Sequence, residues 1–341
     1  MDPIGLTNLG STCYLNTCLQ LLFADTNFVK FLNVLAKTCK DRENMSELVH
    51  RSLQMGKKER EREREEFARS LIHLAFDYHQ KNRGVRESLR SFLTQTGREF
   101  RGLMNLFEQN DLQEFLTLFI DKLVMASIVI YPLSSSSSAS TPKNVGEYQV
   151  TRFLNDMEIH WKRYHFNIYS HLTPVYHGQL VKQLKCKHRG CEDICHNVEV
   201  FTSLILDGDS LEEGLKALEK DTIDRWRCDK CGTTHESVEM MTKITRFPKT
   251  LIVCFKNKNN KKQYPSSFEF PHHMHMLPET VQCSLMSVAC HVGNQHNGHY
   301  YALIGLNSKE WLVVDDEHIG QTGVVDGAAT NAYVLFYSCR S

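Results

Sequence analysis

The sequence predicts an α+β fold in which helices come first and a β-sheet follows. Between residues 16 and 130 the apolar residues recur at helical intervals. From Val175 onward they form short alternating runs, which are typical of strands. A chain whose helices precede its strands belongs to the α+β class.

The composition indicates a folded chain without a global charge. Of the 341 residues 41% are hydrophobic, and 40 basic residues balance 40 acidic ones. The chain therefore has no overall attraction for nucleic acid or for an anionic membrane. It also lacks a membrane-spanning apolar stretch and the features of a secretory signal. We expect a monomeric cytoplasmic or nuclear protein with reduced cysteines that binds neither membranes nor nucleic acid.

Three helical regions are predicted in the first half of the chain. The first, residues 16–37, begins directly after Cys13 and places that cysteine at a helix amino terminus. Residues 57–66 are all charged or polar and form an exposed face that leads into a buried one. The third region covers residues 107–130, and the serine run 134–138 after it is predicted to be a flexible loop.

Short apolar runs predict strands in the second half of the chain. Two of them cover residues 198–206 and 250–255, and a later pair covers residues 301–304 and 311–314. If the later two strands are adjacent and antiparallel, the aspartate that ends the second strand lies beside His299.

Cys13 is the candidate nucleophile. A cysteine attacks as a thiolate, and the positive end of a helix dipole lowers the pKa of a thiol placed there. Asn8, five residues earlier, offers an amide that can donate to an oxyanion. The alternative is that Cys13 is only a small buried hydrophobic residue.

His299 is the candidate general base. An aspartate accepting from its imidazole would orient it toward Cys13, although with 17 histidines in the chain it could also be structural. The rival bases His291 and His296 are expected in a loop, nearer the mouth of the site. Gly298 lacks a side chain and leaves room for an extended substrate backbone.

Two cysteine pairs have spacings that suit zinc. Cys228 and Cys231 have two residues between them, and Cys186 and Cys191 lie about forty residues upstream. His188 or Cys195 could replace Cys191, and free thiols are the alternative to a metal site. Buried packing is expected for Cys18, Cys254, Cys283, Cys290 and Cys339, and an exposed thiol for Cys39.

Three segments, in order along the chain, carry a family resemblance. They are GLTNLGSTCYLN at 5–16, QNDLQEF at 109–115, and NGHYYALI with WLVVDD at 297–316. They resemble the cysteine, glutamine–aspartate and histidine boxes of the ubiquitin-specific proteases. Three ordered boxes are far more specific than one. The strand 250–257 resembles the family's palm strand but lacks its arginine, and a basic, asparagine-rich loop follows it at 256–264.

The resemblance implies a single catalytic domain, residues 1–341, shaped like a papain-like hand. A helical thumb would comprise residues 1–130 and a flexible serine-rich loop residues 131–149. Zinc-bearing β fingers with adjoining palm would follow at 150–245, and the β-sheet palm with the histidine box at 246–341.

The resemblance also implies a role for each site residue. Cys13 would be the nucleophile, His299 the base, Asp315 the orienting acid, Asp316 a secondary or substitute acid, and Asn8 the oxyanion donor. Asp111 would bind the basic residue of the modifier tail, although Asp111 and Glu114 could simply be helix-start carboxylates. The remaining tail contacts would be Gln109, Gly298 and Tyr300.

The implied activity is a thiol isopeptidase that cleaves ubiquitin from target lysines. The implied ligands of a structural zinc are Cys186, Cys191, Cys228 and Cys231, and no catalytic cofactor is expected. One alternative substrate is the two-lobed interferon-induced modifier, which shares the Leu-Arg-Gly-Gly tail. Another alternative is an inactive scaffold that binds ubiquitin.

Overall fold

Helices fill most of the first half of the chain and two sheets the second half, in a computed structural model. It describes residues 2–50, 59–129, 145–191, 193–256, 258, 260–276, 279–294, 298–307, 310–322 and 331–340. The α+β prediction is confirmed. The helices are α1 (Cys13–Ala24), α2 (Thr26–His50), α3 (Glu59–His79), α4 (Val85–Glu99), α5 (Leu112–Ala126), α6 (Val145–His165), α7 (Thr173–Tyr176) and α8 (Leu211–Glu219).

The first predicted helical region forms two helices, which separate at Asp25. This side chain is fully buried and accepts hydrogen bonds from the Tyr176 hydroxyl at 2.9 Å and the Thr250 hydroxyl at 2.8 Å. It also accepts from the backbone N–H of Asn27 at 2.8 Å. Asp25 therefore ends α1, starts α2 and joins both to the strand that begins at Thr250.

The helices predicted around 57–75 and 107–130 are confirmed as α3 and α5, whereas α6 was not predicted. It begins at Val145 and so occupies the end of the segment expected to be a flexible loop, 131–149. The rest of that segment, including the serine run 134–138, lies outside the described residues. Apolar side chains at Met157 and Trp161 are buried and dock the helix.

The larger sheet has eight strands. Its order is β11-β10-β9-β8-β12-β6-β3, with β7 paired to β8, and all pairs are antiparallel except β3 with β6. The strands are β3 (Ser203–Leu206), β6 (Thr250–Phe255), β7 (Ser267–Glu269), β8 (Gln282–Gly293), β9 (Gly298–Gly305), β10 (Trp311–Asp315), β11 (His318–Thr322) and β12 (Ala332–Arg340).

The smaller sheet has four antiparallel strands in the order β2-β1-β5-β4. Its two outer connections, β1 to β2 and β4 to β5, hold the two cysteine pairs. The strands are β1 (Gly178–Lys185), β2 (Ile194–Phe201), β4 (Lys220–Arg227) and β5 (Thr234–Arg246).

The centre of the larger sheet is buried on both faces, as β6 illustrates, whereas the edge strand β11 is largely exposed. The six residues of β6 are all buried. Ile252 and Cys254 join the core formed with the helices, while Leu251, Val253 and Phe255 join a second core beneath α8. A continuous apolar run is what a strand covered on both sides requires. None of the described helices combines the length and hydropathy needed to cross a membrane.

Two predictions about the cysteines are wrong. Cys283 and Cys339 were expected as thiols but form a disulfide, because the β8–β12 register places them directly opposite each other, with Cα atoms 4.2 Å apart. Cys39 was expected to be exposed, yet it is buried in the core against the helices. Burial of Cys18, Cys254 and Cys290 is confirmed.

We predict that Asp25→Ala destabilises the fold by about 2 to 4 kcal/mol, because two buried hydroxyl donors lose their acceptor. Urea denaturation followed by circular dichroism measures the change. Asp207→Ala is the control, since Asp207 pairs with Lys256 at the surface. Equal stability of the two variants would contradict the role assigned to Asp25.

Candidate active site

Cys13 is the first residue of α1 and lies against β9. Its side chain is only 6% exposed. Burial raises the pKa of the Cys13 thiol, the backbone N–H of Tyr300 lowers it, and the charge of Asp316 raises it further, so that the net pKa is raised. The helix amino terminus was expected to lower this pKa. In this conformation burial outweighs that field, so the neutral thiol of this candidate nucleophile is favoured.

The antiparallel pairing of β9 with β10 brings His299 and Asp315 together, as the sequence predicted. The imidazole Nε2 and the Asp315 Oδ1 are 2.5 Å apart. Because Nε2 is engaged with the carboxylate, Nδ1 is the nitrogen left to exchange a proton. His299 also directly precedes Tyr300, whose backbone N–H faces the Cys13 thiol.

Asp316 connects the two ends of the chain. Its carboxylate accepts from the Asn8 amide at 2.8 Å and from the Asn16 amide at 2.7 Å. Its backbone carbonyl accepts from the N–H of Leu6 at 2.8 Å, and its φ of 47° belongs to the left-handed region. Asn16 was quoted in the cysteine box but given no role. Its position in that box was the only signal for it.

Asn8 is held in place by both ends of its amide. Its oxygen accepts from the backbone N–H groups of Gly10, at 3.0 Å, and Thr12, at 3.3 Å. Its nitrogen donates one hydrogen to Asp316, which leaves the second hydrogen of the amide for another acceptor.

The expectation for His291 is wrong, whereas the structure adds a second reason for the glycine at residue 298. His291 lies in β8 and is 5% exposed rather than in a loop. A Cβ at Gly298 would come within 2.0 Å of its Nε2. Glycine is therefore required here by the neighbouring imidazole. Burial lowers the pKa of His291, and the charge of Lys258 lowers it further. His296 lies outside the described residues.

Asp111 is both a helix cap and part of the cleft. Its Oδ1 accepts from the backbone N–H groups of Gln113, at 2.8 Å, and Glu114, at 3.0 Å, which start α5. The Tyr333 hydroxyl lies within 3.0 Å of both carboxylate oxygens, and the Lys258 ammonium forms an ion pair with Oδ2. Burial would raise the pKa of Asp111, but the bonds from Lys258 and the Glu114 N–H lower it overall.

One cleft of about 140 Å³ contains the nucleophile and the predicted tail contacts. It is lined by Cys13, Gln109, Asp111, Gly298 and Tyr300, together with the rival base His291 and the unpredicted Lys258. Lys258 belongs to the basic loop noted as a departure from the family pattern, which is the only sequence signal it carries. Tyr333 gave no signal at all.

The four predicted cysteines meet at the tip of the smaller sheet. Their sulfur atoms lie within 4.8 Å of one another, with Cys186 and Cys231 at 3.7 Å and Cys191 and Cys228 at 3.9 Å. A tetrahedral zinc site with Zn–S bonds of about 2.3 Å has sulfur–sulfur edges of about 3.8 Å. The donor set therefore fits zinc, and the group formed by the described residues includes Cys191 instead of His188 or Cys195.

Comparisons with known sequences agree on one family. A family model described as ubiquitin carboxyl-terminal hydrolase matches residues 4–337. Ubiquitin carboxyl-terminal hydrolase 4 of Saccharomyces cerevisiae is 26% identical over 390 residues, covering 98% of this chain and 39% of that protein. The probable ubiquitin carboxyl-terminal hydrolase 4 of Schizosaccharomyces pombe is 26% identical over 381 residues, covering 100% and 59%. The chain thus spans about two to three fifths of these relatives.

Solved structures show the same fold. A SAGA DUB module containing Ubp8, bound to monoubiquitin, has a TM-score of 0.68 at 17% identity, covering 100% of this chain and 72% of that one. A second, bound to ubiquitin aldehyde, has a TM-score of 0.65 at 18% identity, covering 99% and 70%. Taken with the family match over residues 4–337, the chain belongs to the ubiquitin carboxyl-terminal hydrolase family and is of the ubiquitin-specific protease type.

Proposed function

We propose that this chain is a thiol isopeptidase that hydrolyses the bond between the carboxyl-terminal glycine of ubiquitin and a lysine side chain. The observation that carries the proposal is the placement of Cys13 next to the strand that holds the His299–Asp315 pair. The relatives named ubiquitin carboxyl-terminal hydrolase, and neighbours solved with ubiquitin, support it.

The reaction follows from the hydrogen bonds of the site. Asp315 holds Nε2 of His299, and Nδ1 takes the proton of the Cys13 thiol as the sulfur attacks the glycine carbonyl. The free amide hydrogen of Asn8 stabilises the oxyanion. The imidazolium then protonates the leaving lysine amine, and water hydrolyses the thioester with His299 again as base.

The tail of ubiquitin would run along the cleft that contains Cys13. Asp111 is the carboxylate available to bind the arginine of the Leu-Arg-Gly-Gly tail, because an arginine–carboxylate pair is strong and directional. Gln109, Gly298 and Tyr300 line the same cleft. Ubiquitin is favoured over the two-lobed modifier because the related proteins and solved complexes are named for ubiquitin.

The cysteine cluster would hold a structural zinc ion in the finger sheet. Four thiolates complete a tetrahedral shell, which leaves no position for a reacting water. The ion would join the β1–β2 and β4–β5 connections at the end of the sheet, beyond the pairing of β1 with β5.

We predict that Cys13→Ala abolishes labelling by ubiquitin that carries a carboxyl-terminal electrophile, because the attacking sulfur is lost. Gel shift and mass spectrometry measure the adduct. Cys195→Ala is the control, since Cys195 is a partly exposed thiol on β2. A two-lobed modifier probe is run in parallel. If neither probe labels the unsubstituted chain, the scaffold function is favoured instead.

We predict that alkylation of Cys13 by iodoacetamide accelerates with pH up to at least pH 8.5, because its raised pKa keeps the thiolate scarce at neutral pH. The rate should rise about tenfold for each pH unit below that pKa. Peptide mass spectrometry follows modification, and Cys13→Ala gives the background from other thiols. A plateau reached by pH 6.5 would show that the resting cysteine is already ionised.

We predict one zinc ion per chain and a lower melting temperature after chelation, because the metal stabilises the connections it joins. Elemental analysis and differential scanning fluorimetry measure the two quantities. Cys228→Ser should remove the metal, and Cys195→Ser should retain it. A chain whose melting temperature is unchanged by chelation would contradict the zinc proposal.

A further inference from the structure

The carboxylate proposed to bind the modifier tail already has a cation of this chain as its partner. Lys258, which follows β6, forms an ion pair with Asp111, and its ammonium donates to the Tyr300 hydroxyl at 3.1 Å. The same ammonium lies 4.8 Å from the centre of the Tyr333 ring. A carboxylate flanked by two tyrosines is a favourable site for a cation.

The contact lies inside the cleft and not beside it. Lys258 and Asp111 line the cavity that also contains Cys13. The two side chains are each 25% exposed. Burial lowers the pKa of Lys258, but the hydrogen bond to Asp111 raises it overall, so the lysine is charged at neutral pH.

Asp111 has no room for a second cation while Lys258 is present. A carboxylate offers about four lone-pair sites. Oδ1 accepts from the N–H groups of Gln113 and Glu114, the Tyr333 hydroxyl approaches both oxygens, and Lys258 takes Oδ2. An incoming arginine would also face the positive charge of the lysine at close range.

We propose that Lys258 is a built-in competitor for the arginine of the modifier tail, occupying Asp111 until the tail displaces it. The proposal rests on the proposed function, in which Asp111 binds that arginine. Displacement requires only that the lysine side chain rotate into solvent, and its flexible four-carbon stem allows this. The contact would raise the apparent Kd for the tail by the reciprocal of the fraction of time that Asp111 is free of Lys258.

The consequence is a measurable gain in affinity when the competitor is removed. Lys258→Met keeps an unbranched apolar side chain only one heavy atom shorter than lysine and removes its charge. In a Cys13→Ala background, which blocks turnover, isothermal titration with ubiquitin should give a Kd about five- to tenfold lower than without the substitution. Lys258→Arg should not give this gain, because arginine retains the pairing charge.

Lys256→Met is the matched control. Lys256 lies two residues away in the same loop, but it pairs with the exposed Asp207 at 3.1 Å and does not line the cleft. Its substitution should leave the Kd unchanged. A similar gain in both methionine variants would point to a general charge effect and would overturn the competition.

Two further arms separate this proposal from the function on which it rests. A second ligand is ubiquitin whose tail arginine is replaced by leucine. This ligand should bind the Lys258→Met variant no more tightly than it binds the chain that keeps Lys258. Asp111→Asn retains the helix cap because asparagine also caps well. This substitution should weaken ubiquitin binding more in the Lys258→Met background than in the chain that keeps Lys258.

The outcomes are distinguishable. If Asp111→Asn weakens binding and Lys258→Met leaves the Kd unchanged or raises it, the competition is overturned while the tail-binding role of Asp111 stands. If Asp111→Asn has no effect in either background, the tail-binding role itself is wrong, and the proposal falls with it.

Discussion

The joining of the two chain ends at Asp316 is the constraint on which the active site depends. Cys13 and His299 are separated by most of the sequence, so their geometry requires that α1 be fixed relative to β9 and β10. Asp316 supplies this link through Asn8, Asn16 and the backbone of Leu6. Because Asp316 directly follows Asp315, the residue that orients His299 and the residue that fixes the cysteine segment lie in one turn.

This turn is closely packed as well as hydrogen-bonded. A Cβ at Gly5 would come within 2.4 Å of the Glu317 carbonyl oxygen, so the segment before α1 lies directly on the backbone after Asp316. The left-handed φ of Asp316 costs some conformational energy in a non-glycine residue. Three hydrogen bonds, from Asn8, Asn16 and the backbone of Leu6, are made to this residue at once, which explains why the cost is tolerated.

Sequence could predict the parts of the site that depend on local pattern. The cysteine box, an aspartate beside His299 and the two cysteine pairs follow from short spacings or from adjacent strands, whereas the choice of Asp315 and of Cys191 came from the family resemblance. Sequence could not predict the features that depend on packing between elements far apart along the chain. The β8–β12 register that joins Cys283 to Cys339, the buried Asp25 that divides α1 from α2, and the imidazole of His291 over Gly298 all depend on elements brought together only by the fold.

Two features of the site without substrate oppose the proposed reaction, and binding of the modifier tail would act on both. Cys13 is protonated because it is buried beside Asp316, and Asp111 is engaged by Lys258. A tail that displaced Lys258 would bring its own glycine carbonyl along the cleft to Cys13, where transfer of the thiol proton to His299 accompanies attack. The free energy needed to form the thiolate increases by about 1.4 kcal/mol for each unit by which the thiol pKa is raised. If the chain acts on a modifier as proposed, binding energy from the rest of that modifier would offset the cost, and the features that slow the free thiol would favour a substrate with the correct tail.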